Sequence, residues 1–153
     1  MTVVDGAGSD RAPLTFEVIG TPAPQGSKRH VGNGVMVESS KRVKPWRQAV
    51  AAAARDVADH ADVEAPLDGP LHLDVVFRFP MPASRSKAQR ALGALFKVSA
   101  PDLSKLVRST EDALQEAGLI RDDARICRLT ASKHEIPDGW TGAVVTITTI
   151  PTT

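Results

Sequence analysis

Six carboxylates lie between Pro101 and Ala124: Asp102, Glu111, Asp112, Glu116, Asp122 and Asp123. Carboxylate oxygens are the natural ligands of hard divalent cations, and such a cation can activate water against a phosphodiester. The stretches before them are basic. Gln25–Val50 holds Lys28, Arg29, Lys41, Arg42, Lys44 and Arg47 against Glu38, six cations to one acid, a net of +5. Met81–Arg108 holds Arg85, Lys87, Arg90, Lys97, Lys105 and Arg108 against Asp102, again +5. A site that cuts nucleic acid needs this pairing, carboxylates for a metal and cations for the backbone.

Each of these features also has a plainer reading. The basic stretches fit solvated loop surface. Ser99 to Asp102 fits a capping box, with Ser99 as N-cap and Asp102 reaching back. Asp122 and Asp123 fit a turn. A helix of about 15 residues is about 22 Å long. Acids on its two flanks therefore meet only if the following loop returns alongside the helix start. His30, His60, His72 and His134 show no metal-ligand spacing, and no Walker loop, dinucleotide-binding glycine pattern or nucleophile elbow is present.

The elements that must position these residues follow from periodicity. Leu14, Phe16 and Val18 alternate with polar residues and predict a strand ending at Gly20. Val31–Val37 predicts a hairpin turning at Asn33-Gly34. Pro45 suits a first helical turn, and Trp46 to Ala61 continues without a breaker. Leu71 to Phe79 alternates most clearly of all. Ser86 to Phe96 suggests a short helix that Gly93 weakens. Asp102 to Ala117 predicts a helix ending at Gly118, with Leu103, Leu106, Val107, Thr110, Ala113, Leu114 and Ala117 on one core face. Arg125–Glu135 predicts a strand of imperfect alternation, and Gly142–Ile150 a β-branched final strand. This mixed order, without strict βαβ alternation, predicts a single-domain α+β fold, a mixed sheet with its helices packed on one face. Residues 1–12 are expected to form a disordered tail before a domain spanning 13–153.

Composition narrows the class. The chain has 153 residues, 42% hydrophobic and 24% charged, with a formal net charge of +1. These are globular values. No apolar run approaches the roughly 18 residues of a membrane span. Met1 to Pro13 lacks an apolar core, so no secretory signal is expected and the protein is expected to be cytoplasmic. A single cysteine, Cys127, excludes an internal disulfide and a cysteine-based zinc site.

The stretch Pro101–Ala124 resembles the signature of the RusA-type Holliday junction resolvases, small phage and bacterial endonucleases. Asp102-Leu103, Leu106, Arg108, Asp112-Ala113-Leu114, Ala117-Gly118 and Asp122-Asp123-Ala124 fall in register with that pattern. Gly20 to Arg29 and Lys44-Pro45-Trp46-Arg47 are similar to members of the same family. The resemblance implies a homodimer that binds four-way DNA junctions and cuts two opposed strands with Mg2+. It assigns the essential carboxylates to Asp102 and Asp123 and the catalytic basic residue, a Lys in the family, to Arg108. Asp122 is a further candidate ligand. Lys28, Arg29, Lys41, Arg42, Arg85, Lys87 and Lys105 are the expected contacts to DNA phosphates, while Trp46 is expected in the core rather than against a base.

One departure stands out. The family's second acid, two residues after the first, is Ser104 here. Ser104 could hold a metal-bound water, or Glu111 could supply the missing charge, although about 10 Å of helical rise separates the two. The remaining alternative is a branched-DNA-binding protein with weak or no cleavage.

Overall fold

Burial in the central strand follows the alternation of its sequence. In β4, Leu71–Pro80, the side chains of Leu71, Leu73, Val75, Phe77 and Phe79 are buried, and those between them face the other way. The structure is a computed structural model and describes residues 12–26, 28–30, 36–38 and 41–151. The expected tail thus lies outside the described residues except for its last position, and so does the turn of the expected hairpin.

The described residues form ten strands and α-helices, besides one 3-10 turn. They are β1 (Leu14–Ile19), β2 (Lys28–His30), β3 (Met36–Glu38), α1 (Val43–His60), β4, α2 (Lys87–Ala91), β5 (Leu95–Phe96), α3 (Leu103–Glu116), β6 (Ile126–Ile136) and β7 (Gly142–Thr149). The main sheet has the order β1-β7-β4-β6-β5. β4 and β6 run parallel, and every other neighbouring pair is antiparallel. β2 and β3 form a separate antiparallel pair, Lys28 opposite Glu38. The fold is the expected single-domain α+β arrangement with a mixed sheet.

The core lies between the sheet and two helices. α1 contributes Val43, Trp46, Val50 and Ala54, spaced three or four apart so that they share one face. Trp46 is in the core, as expected, and its indole N–H donates to Thr110 Oγ1 at 3.3 Å. α3 buries Leu106, Val107, Thr110, Ala113 and Leu114, and adds Ser109. The Ser109 hydroxyl donates to the carbonyl of Ala23 at 2.6 Å, which fastens the loop after β1 to α3. Arg47 of α1 and Glu116 of α3 form an ion pair across the two helices. α2 buries nothing; a capping box between Ser86 and Gln89 supports it, and it ends just before Gly93, whose φ is +87°.

One expectation changes. Ser99 does not cap α3; Asp102 does, because its own carboxylate reaches the Ser104 amide.

β1 and β7 approach closely at Gly142, which pairs with Ile19 and has φ +143°. A Cβ there would overlap the Val18 carbonyl oxygen, whereas one at Gly118 (φ +77°) would meet nothing within 4 Å. Gly142→Ala is therefore expected to destabilise the fold by about 3 kcal/mol or more, and Gly118→Ala by only about 1 kcal/mol of left-handed strain. Urea denaturation of both variants checks this; equal losses would show that strain alone, not overlap, governs Gly142.

Candidate active site

Asp102 stands at the N-terminus of α3, where free amides favour a carboxylate. Its Oδ1 accepts from the Ser104 amide at 3.0 Å and from the Ser104 hydroxyl at 2.8 Å. The hydroxyl bond first, then the Ser104 and Lys105 amides and the Lys105 charge, hold the carboxyl below its ordinary range, so it is ionised at neutral pH. Ser104, standing where the resemblance expects an acid, is a donor to its neighbour.

The chain leading into Asp102 is tied down from the sheet. Lys133 of β6 donates from Nζ to the carbonyls of Ser99 and Pro101, both at 2.6 Å. Its own carbonyl accepts from the Lys97 amide at 3.0 Å. Two positions along β6, Glu135 is fully buried and receives Arg85 through Nε and Nη2, both at 2.9 Å. That bidentate bond is the main reason the Glu135 carboxyl lies below its usual range.

The other carboxylates gather at the far half of α3. The Gln115 Oε1 accepts from the Asp123 amide at 3.2 Å. Asp123 opens a single 3-10 turn, Asp123–Arg125, which Asp122 caps by accepting from the Ala124 amide at 2.8 Å. Arg125 in turn bonds Asp68 at 2.6 Å. Glu111 is half-buried, and its carboxyl is pushed up to about 7, by burial first and then by the charges of Asp123 and Asp112, against the opposing charge of Arg108.

The loop after α3 therefore does return to α3, but not to its start. Asp102 and Glu111 are separated by about 13 Å of helical rise, and Asp123 is grouped with Glu111. Mg2+ binds oxygens at about 2.0–2.1 Å in near-octahedral geometry, so carboxylates sharing one ion must nearly touch. Among the described residues no group of three or more His, Cys, Asp or Glu side chains could hold a metal ion. Among the described residues, the candidate donors of one chain do not close around a single Mg2+.

The cations border this region. Arg108 and Lys105 line a cleft of about 390 Å³ with Gln25, Gly26, Ser104 and Asp112. The Gln25 amide donates to the Lys105 carbonyl at 2.9 Å, seating the loop against α3. Lys41, Arg42 and Lys87 are exposed. Arg85 is committed to Glu135, and the side chains of Lys28 and Arg29 lie outside the described residues. Lys133 and Glu135 were not singled out from the sequence. Their signal was the imperfect alternation of β6: in register, Lys133 pairs with Phe77 and Glu135 with Phe79, so both charges occupy core-facing positions.

The chain is similar to known proteins over most of its length. The profile of the family described as Endodeoxyribonuclease RusA matches residues 19–148. The chain is also 31% identical over 127 residues to the uncharacterized protein YqaN of Bacillus subtilis (strain 168), a match covering 78% of this chain and 86% of that protein. A match that begins in β1, ends in β7 and includes every candidate carboxylate places the chain in the RusA endodeoxyribonuclease family.

Proposed function

We propose that this protein is a Mg2+-dependent endonuclease that resolves four-way DNA junctions in recombination and repair, in the cytoplasm, and that it acts as a homodimer whose sites are shared between protomers. One observation carries the shared site: Asp102 caps the start of α3, whereas Asp123, in the turn after the helix, is bonded to Gln115 near its other end. Two copies packed about a two-fold axis, with their α3 helices antiparallel, would bring Asp102 of one protomer to Asp123 of the other, twice. A junction has approximate two-fold symmetry and needs two incisions, which such a dimer supplies.

The chain's own groups have clear tasks in this reading. Asp102 is ionised and offers the oxygen that Ser104 leaves free. Arg108 and Lys105 line the cleft in which a phosphodiester would meet positive charge, with Arg108 stabilising the charge that develops there. Glu111, with a proton affinity near neutrality, can hold a proton at its carboxylate oxygen. Lys41, Arg42 and Lys87 remain the proposed contacts to the DNA backbone, joined by Lys28 and Arg29. Mg2+, when bound, would polarise the phosphate and lower the pKa of water.

A second reading is a branched-DNA-binding protein that cuts weakly. It is favoured by the Ser104 hydroxyl, which donates to Asp102 where the family has a further acid. Purified protein incubated with a synthetic four-way junction and with linear duplex, in Mg2+ and in EDTA, separates the two. Mg2+-dependent cutting confined to the junction supports the enzyme, and tight binding without cutting supports the alternative.

Two variants follow. Asp123→Asn is expected to slow junction cleavage by about 100-fold or more, with junction binding in EDTA kept within a few-fold; cutting at the wild-type rate would make Asp123 only a turn residue. For Glu111 the folded carboxyl titrates near 7, above its ordinary 4.5. The folded state therefore holds a proton that the unfolded state has released, and stability falls as pH rises from about 4.5 through 7. Glu111→Gln should be more stable than wild type by about 1–2 kcal/mol at pH 8, after allowance for solvent screening, and equal to it near pH 4.5. Denaturation at the two pH values checks the sign. Slower cleavage by the same variant would add Glu111 to the site.

A further inference from the structure

Lys133 is a half-buried cation on the core side of a strand, and its bonds go to backbone carbonyls. Among the described residues it has no carboxylate within ion-pair distance. A lysine pays for burial with lost hydration and side-chain freedom, so a position opposite Phe77 would ordinarily be apolar. The return must come from what the ammonium holds. It holds Ser99 and Pro101, the first by its carbonyl and the second by the carbonyl joined directly to the Asp102 amide. The Lys97 amide closes the same segment onto the Lys133 carbonyl, so one residue grips the stretch 97–101 through side chain and backbone together.

We infer that Lys133 is a positioning residue for Asp102: it fixes the path of the chain into α3 and thereby the direction of the Asp102 carboxylate. Charge-assisted bonds of this length are about twice as strong as neutral ones. Without them, Ser99 and Pro101 would present two unneutralised carbonyl oxygens beside a site that must accept a phosphodiester. Asp102 would also lose the fixed backbone from which it caps the helix. The effect on chemistry would follow from geometry, since small displacements of a reacting group cost large factors in rate. The inference rests on the nuclease reading for its consequence in catalysis, but its structural half can be read without any metal.

The test uses the full chain and the variant Lys133→Met, which keeps length and apolar stem while removing the donors. In metal-free protein, hydrogen exchange at the Ser104 amide, which Asp102 caps, should quicken about 10-fold or more. Exchange at Val145 in β7 should stay at the wild-type rate. With Mg2+ and saturating protein, single-turnover junction cleavage should fall about 10- to 100-fold while junction affinity in EDTA stays within about three-fold. In an Asp102→Asn background the same substitution should slow the residual rate no further. Unchanged Ser104 exchange, or exchange that quickens equally at Val145, overturns the inference. If the wild-type protein does not cut the junction, the nuclease reading fails, and the Ser104 and Val145 amides still decide the role of Lys133.

Discussion

Leu106, Thr110, Ala113 and Leu114 are fully buried, and their burial fixes α3 in rotation as well as in place. Consecutive helical residues differ by about 100°, so turning the helix by one position would expose this face and bury charge. Removing a side chain such as Leu106 from water is worth on the order of 2 kcal/mol, and loss of the packing around it more. The candidate groups along α3 and in the turn after it are placed by that docking. Asp102 caps one end of the rod, Arg108 and Glu111 lie along its open side, and Gln115 receives the Asp123 amide near the other end. A rigid helix cannot bend to bring its own ends together. The separation of Asp102 from Asp123 is thus a consequence of the core.

Charge along the rod is uneven for the same reason. At the start, free amides, the Ser104 hydroxyl and Lys105 all favour an ionised Asp102. Near the other end, burial first and then the charges of Asp123 and Asp112 disfavour an ionised Glu111 against the opposing charge of Arg108, and Glu111 takes up a proton close to neutral pH. One end is an electrostatically satisfied carboxylate, and near the other a half-buried carboxyl, Glu111, faces the charges of two more acids. Bringing the satisfied end of one chain to the crowded end of another adds still more negative charge, which a divalent cation would neutralise. In this account, the cation and the second protomer depend on each other.

Much of this was legible in the sequence where a period is strict. The Leu71–Phe79 alternation gave a central strand because every second residue is apolar. The core face of α3 was read residue by residue, with Leu103 and Ala117 ending half-buried instead of buried. The candidate carboxylates were named from the family resemblance, and the doubt over substituting Glu111 for an acid at Ser104 was a matter of helical rise that the fold reproduces. What sequence could not supply was partnership across the chain. The Asp102 carboxylate turned toward the Ser104 amide and hydroxyl rather than back to the Ser99 amide, a choice of local geometry. Arg85 looked like a phosphate contact until β6 placed a buried acid, Glu135, against it from 50 positions away. Lys133 was hidden for the opposite reason: a charge at a core-facing strand position reads as a weaker strand, when it marks a side chain with buried work to do.

The shared site can be tested by mixing two inactive proteins. Asp102→Asn and Asp123→Asn are each expected to be inactive alone. If the sites lie between protomers, a mixed dimer carries one site with both substitutions and one with neither. Combining the two variants, after dissociation and reassociation, should therefore restore Mg2+-dependent incision of a four-way junction, about one cut per mixed dimer. If each chain builds its site from its own Asp102 and Asp123, every site in the mixture lacks one carboxylate, and a mixture as inactive as its parts, with mixed dimers shown to have formed, would contradict the account.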